Sequence, residues 1–379
     1  MKRSSPLAAL TTAAMSLPAF AASPPVESTL SVGVSNYQEA DVPPHLVVGG
    51  DNRRYDVNIR QFRLLSPVGR DWSLGLDLSR ETMSGASPWG TSAGVDGEPA
   101  LIMSGATIHD TRTETSLTAT RYGEDHSIGL TLTRSEEDDY EAFSPALSGE
   151  WTFNDDLASL SAGLSYSNDV VEPTDAATFG RVSREERRSR SASVGVSRVI
   201  DRSSVAYAGL SVTDHSGYLS DPYKLRDVRP EERREWALSV RYRHYLDGPD
   251  AALHLDYRYF DDDWGVASHT LHTSWYQNLG TWFQVVPNVR YYSQSEADFY
   301  RSVDDFGLPL DVHQSSDFRL SAYGAFTFGL KAIVRQPDWS LTISADRYIG
   351  NEKYGLASGV PHPARLEFTL ASVVLDIQF

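Results

Sequence analysis

The sequence predicts an all-β protein: a closed antiparallel transmembrane β-barrel of about 16 strands. Three observations carry that reading. The chain ends in an alternating strand closed by an aromatic residue. Some sixteen segments in all, that last one included and most of twelve to sixteen residues, repeat the same two-residue period, and the connections between them are short on one side and long on the other.

In the last strand, Ala371, Val373, Leu375, Ile377 and Phe379 share one face, while Ser372, Asp376 and Gln378 take the other with Val374 as an exception. Period-two alternation is the mark of a strand with one apolar face. A terminal strand of this kind, ending on Phe379, looks like the C-terminal signal of bacterial outer-membrane barrels, which implies barrel insertion machinery as a partner.

At the other end, Met1-Lys2-Arg3, an apolar run over 6–17 and Ala19-Phe20-Ala21 read as a signal peptide over 1–21. Residues 22–379 then form the barrel domain. No later segment has about 20 uninterrupted apolar residues, so no transmembrane helix is expected. The absence of cysteine excludes disulfides and thiolate metal sites. A net charge of −17 argues against nucleic acid as a partner. Tyr (19) outnumbers Phe (14), which suits aromatic girdles around a wet interior.

The alternating segments fall at 26–38, 53–65, 70–82, 107–122, 125–137, 140–154, 157–170, 187–200, 203–218, 232–246, 250–264, 266–278, 281–295, 315–334, 338–349 and 363–379. Leu160, Ala162, Leu164 and Tyr166 oppose Ser161, Gly163, Ser165 and Ser167. Leu253, Leu255, Tyr257 and Tyr259 oppose His254, Asp256 and Arg258. Phe318 to Phe328 alternate against Arg319, Ser321, Tyr323 and Thr327. Short turns are expected at 66–69, 123–124, 154–156, 201–202, 247–249, 278–280 and 335–337, and long loops near 39–52, 83–106, 171–186, 216–231, 296–314 and 350–362. That layout places both termini in the periplasm. Pro145 and Pro287 interrupt strands where a closed barrel has no free edge, so each predicts a bulge or an overextended strand end. A soluble β-sandwich would also alternate, with less regular connections, and no four-strand propeller repeat is evident.

With apolar residues facing lipid, the other set lines the lumen. Arg241, Arg243, Arg258, Arg290 and Arg319 come from strands ten to fourteen. Asp56, Asp77, Glu81, Glu114 and Glu150 come from strands two to six, with Arg54, Arg60 and Arg112 among them. These charges either form opposed walls across a pore or pair with their neighbours. A barrel of about 16 strands is wide enough to hold water, and the loops at 83–106, 216–231 and 296–314 are long enough to constrict it.

Loops are where function concentrates. Those of this chain carry Ser84-Gly85-Ala86-Ser87-Pro88, Ser104-Gly105-Ala106 followed by His109-Asp110-Thr111-Arg112, Ser220-Asp221-Pro222-Tyr223-Lys224, Arg229-Pro230-Glu231-Glu232-Arg233, Gly248-Pro249-Asp250-Ala251, and Tyr291-Tyr292-Ser293-Gln294-Ser295-Glu296-Ala297-Asp298-Phe299-Tyr300. In this order and over the whole mature chain they resemble a family of Gram-negative outer-membrane β-barrel proteins known only as a domain of unknown function. The resemblance implies an integral outer-membrane barrel in contact with outer-membrane lipid and lipopolysaccharide. It also implies periplasmic redox or lipoprotein partners.

Asp110, Arg112, Asp221, Lys224, Arg233, Glu296 and Asp298 gather near the long-loop side, where they bind a ligand or order the loops by ion pairs and turn caps. The acidic tips 136–139 and 261–263 are solvated, or take up divalent cations through hard oxygen ligands. His269 and His272 point to opposite faces of a strand and make no ligand pair; no metal or cofactor site is expected. His109 and Asp110 with Ser104 or Ser84 allow a hydrolase triad only outside the Gly-x-Ser-x-Gly context. The leading expectation is a porin-like or export-linked channel with a loop-restricted mouth. The alternatives are an outer-membrane hydrolase with a rim active site, or a barrel that partners an envelope assembly or redox system.

Overall fold

Two-residue alternation over eleven to seventeen residues gives strands too long for a small sandwich, and these strands close on themselves. The computed structural model describes residues 23–94, 97–104, 108–154 and 156–379; the signal peptide expected over 1–21 lies outside them. Sixteen strands form the wall: β1 Thr29–Glu39, β2 Asp56–Val68, β3 Trp72–Gly85, β4 Ile108–Tyr122, β5 His126–Glu136, β6 Tyr140–Phe153, β7 Ala158–Val171, β8 Glu185–Asp201, β9 Ser204–Gly217, β10 Glu232–Leu246, β11 Ala251–Asp262, β12 Ala267–Leu279, β13 Phe283–Gln294, β14 Tyr323–Arg335, β15 Trp339–Asn351 and β16 Glu367–Gln378. Each pairs antiparallel with its sequence neighbours, and β16 closes on β1 from Thr29 opposite Gln378 to Glu39 opposite Phe368. All sixteen expected segments are present.

The register fixes which way each side chain points. Leu164 (61% exposed), Leu117 (55%) and Leu74 (50%) face outward, and Leu255 and Phe326 lie on the same outer surface, opposite Tyr242 and Tyr291. Trp72, Trp151, Trp282 and Trp339 girdle the short-turn end. Mid-wall serines such as Ser148, Ser165 and Ser193 point inward.

Pro145 and Pro287 both sit in mid-wall. Neither makes a bulge. The β6–β7 ladder resumes from Ser165–Ala146 to Asn168–Phe143, and the β12–β13 ladder from Ser274–Asn288 to Gln277–Val285, in unchanged register. Each proline lacks the N–H that would bridge the gap, and its other neighbour keeps pairing, Leu132 with Pro145 and Leu330 with Pro287.

The fourteenth strand is shorter than its pattern. Gln314–Ser315 is a separate two-residue strand and Phe318–Leu320 a 3-10 turn, and β14 begins only at Tyr323. Arg319 is therefore not on the barrel wall. In β2 the phase also differs from expectation: Asp56 and Arg60 face outward, because Arg60 stands opposite exposed Val34, while Val57 and Ile59 are the buried, inward residues. Arg54 precedes the strand.

Candidate functional site

The loops at the long-loop end do not stand apart. They interlock into a cap across that mouth. Val47–Gly49 pairs with Pro99–Met103, which pairs with Pro88–Ala93, so the β1–β2 and β3–β4 loops share a three-stranded sheet. Val42, Ala86, Leu101, Met103, Phe318 and Ala364, from four different loops, form one buried apolar cluster. Trp264, Val266, Ala297 and Leu320 form a second. Gly85 makes the close approach possible: its φ is +134°, and a Cβ there would sit 2.4 Å from the Arg54 carbonyl oxygen.

Ion pairs tie the cap where burial would otherwise penalise them. Arg229 lies between Asp227 (2.7 Å) and Asp317 (3.0 Å), both with fully buried side chains. Burial opposes the charge on Arg229, but Asp227 and then Asp317 outweigh it and hold the guanidinium above its ordinary pKa. Arg319 Nε donates to Asp317 Oδ1 at 2.9 Å, and its Nη2 is 3.7 Å from Asp221. Arg54 pairs with Glu39 and donates to the Ala364 carbonyl at 3.1 Å. Asp304 accepts from the Thr91 amide at 3.1 Å, joining the β13–β14 loop to the β3–β4 loop. His362 joins the last loop: its Nε2 is 3.0 Å from the Ser316 carbonyl, and its Nδ1 accepts from the Ala364 amide at 3.0 Å. That arrangement needs the neutral ring, and burial, then the nearby Arg365 charge, pushes its pKa down to about 3.

The residues singled out in the sequence are mostly joints of this cap. Asp221 turns the chain by accepting from the Tyr223 amide at 3.1 Å. Lys224 reaches the Pro88 carbonyl at 3.4 Å. Arg233 pairs with Asp262 and with Glu235 (2.8 Å) and lies 4.6 Å from the Trp264 ring. Arg112 binds Glu114 at 2.6 Å and the Ser135 hydroxyl at 2.9 Å. Asp110, Glu137 and Asp139 bring carboxylate oxygens within 4.8 Å of one another; Arg112 is 3.7 Å from Glu137, and the Tyr223 hydroxyl donates to Asp139. The acidic tips are thus only partly solvated: Asp139 and Asp262 are buried. Glu296 and Asp298 stay exposed, and Glu296 lines a cavity of about 520 Å³ with Tyr300 and Arg301. The Tyr-Tyr-Ser-Gln stretch also builds the cap, since Gln294 donates to the Arg319 and Ser321 carbonyls at 2.8 and 2.7 Å.

His109 and Asp110 are successive residues of β4, so their side chains leave on opposite faces. The triad that the sequence allowed does not assemble.

Beneath the cap the wall divides into two kinds. Over β5–β9 the inward residues are small: Ser148, Gly163, Ser165, Ser191, Ser193 and Ser211 among them. Ser148, Ser165 and Ser193 are exposed at mid-height although they point inward, so the barrel is hollow there. Over β10–β14 the inward residues are large and cationic. Arg243 pairs with Asp256 at 2.6 Å, Arg241 lies 5.1 Å from the Tyr207 ring and Arg258 5.2 Å from the Phe260 ring, and Arg290 faces inward opposite His272. On the acidic side Asp77 pairs with Arg63, Glu81 is buried opposite Arg112, and Glu150 faces inward opposite Ser161. Several lumen charges therefore pair locally, Arg243 among them, while Arg258 stays exposed.

Solved outer-membrane proteins share this fold. A bacterial polysaccharide outer membrane secretin matches with a TM-score of 0.52 at 9% identity, over 93% of this chain and 98% of that one. CdiB from Acinetobacter baumannii matches with 0.52 at 8% identity, over 93% of this chain and 60% of that one. OccD3 (OpdP) of Pseudomonas aeruginosa gives 0.46 at 9% identity, over 97% of each chain. A comparison with curated proteins gives no match. The model of the family described as "Protein of unknown function (DUF3570)" covers residues 7–361, and the chain belongs to that family.

Proposed function

We propose that the protein is an integral barrel of the bacterial outer membrane and works as a porin-like channel whose loop-side mouth is closed down by the cap. The outward belt of Leu74, Leu117 and Leu164 supports the location: an apolar surface of this extent needs hydrocarbon to cover it. The hollow at Ser148, Ser165 and Ser193 carries the channel reading, because side chains that face inward and still meet solvent line a water-holding space. Hydroxyl groups there give a permeating solute hydrogen bonds without a charge barrier.

Planar-bilayer recording tests this. The refolded protein is expected to pass small, intermittent currents. Arg229→Ala with Asp317→Ala, which unties two cap loops, is expected to raise the conductance several-fold while the barrel keeps its heat-modifiable mobility. A tight seal in both proteins would overturn the reading.

A further inference from the structure

On the outer surface, Arg60 of β2 and Arg80 of β3 stand directly opposite each other, both exposed. The row continues to Val34 on one side and Thr113 on the other, neither of them charged. Like charges placed across neighbouring strands repel, so this pair costs stability unless something offsets it. The other outward arginines toward that end mostly have carboxylates: Arg134 with Glu136 (2.6 Å), Arg188 with Glu186 (2.9 Å), Arg234 with Asp214 (2.6 Å) and Arg347 with Glu367 (2.6 Å). Among the described residues Arg60 and Arg80 have no carboxylate within 4.0 Å.

Their height is equally specific. Toward the short-turn end the same outward faces carry Phe62 and Leu64 on β2, and Leu78, Leu76, Leu74 and Trp72 on β3. Toward the cap they carry Asn58 and Asp56, and Thr82 and Ser84. The two arginines therefore mark the line where the apolar belt gives way to the polar rim.

We propose that Arg60 and Arg80 bind the phosphate of a phosphorylated outer-leaflet lipid of the lipid A type, with its acyl chains lying along Phe62, Leu64, Leu76 and Leu78. This rests on the barrel spanning the outer membrane. Guanidinium groups bind phosphate through paired charge-assisted hydrogen bonds, and one phosphate between the two strands turns a repulsion into a shared attraction. The apolar strip directly below favours a lipid over a free anion.

The test uses full-length protein in neutral detergent, with native mass spectrometry and thermal unfolding as readouts. Diphosphoryl lipid A is expected to stay bound and raise the Tm. The variant Arg60→Gln/Arg80→Gln is expected to bind it at least tenfold more weakly, and Arg347→Gln to bind it normally. Without lipid the double variant should be at least as stable as the wild type, because the repulsion is gone. Equal lipid binding by the double variant, or a lipid-free double variant less stable than wild type, overturns the proposal. Retention of inorganic phosphate as tight as that of lipid A overturns the lipid assignment. A wild-type protein that stays monomeric in water without detergent would instead remove the membrane reading beneath it.

Discussion

The Arg229 guanidinium meets the Asp317 carboxylate at 3.0 Å, joining two loops that leave the barrel from β9 and β13. Both partners are buried, and Asp227 shares the same cation at 2.7 Å. Removing one member of a buried pair strands the others, at a cost of about 3–5 kcal/mol. Arg229→Met is therefore expected to loosen residues 218–231 and 295–322 while the barrel wall stays folded. Hydrogen exchange should show faster exchange in those loops and unchanged protection in β5–β8; loss of protection throughout the wall would contradict a cap that is separable from the barrel.

His362 predicts how the cap responds to acid. Its folded pKa is about 3, below the ordinary value of 6.5. The unfolded loop takes up a proton below pH 6.5 and the folded one does not, so the stability is full above pH 6.5 and falls as the pH drops toward 3. The loss is about 1.4 kcal/mol per pH unit. Protease cleavage within residues 352–366 should rise between pH 6 and 4 in the wild type and stay flatter in His362→Gln, whose amide can still donate to Ser316 and accept from Ala364. An identical pH profile in both would remove His362 from the response.

Leu164 and Ser165 are neighbours that face opposite media. Leu164→Arg puts a charge on the outward belt and is expected to cost about 2–4 kcal/mol. Ser165→Arg points into the hollow and is expected to cost little, with a change in single-channel conductance instead. Urea unfolding in lipid vesicles gives both numbers, and equal costs would contradict the register described for β7.

Pro145 leaves two positions unpaired between β6 and β7 without shifting the register. Pro145→Ala restores an N–H where the ladder is open, and a typical net gain for one such bond is about 0.5–1.5 kcal/mol. The expected result is a modest rise in unfolding midpoint, with slowed exchange of the new amide. A drop in stability would indicate that the proline ring packs more favourably than the hydrogen bond it displaces.

The wall was legible because its strands carry apolar side chains on one face and small or polar ones on the other, and the alternation follows directly. It failed at Phe318, Leu320 and Ala322, which alternate with Arg319 and Ser321 but are buried in the cap. One-sided burial writes the same pattern whichever apolar medium provides it. In β2 the phase was hidden because Val57 and Ile59 pack inward on Tyr37 and Phe368 while Phe62 and Leu64 face out, so both faces read as greasy. The loops were individually recognisable as long. Their joints were not, since Arg229 and Asp317 are 88 residues apart and nothing local relates them.

The shared cluster of Val42, Leu101, Phe318 and Ala364 means that no loop holds its place alone. Each is a keystone for the others, so lifting one withdraws support from its neighbours. Any opening of such an arch is expected to be concerted, passing between shut and released with few stops between.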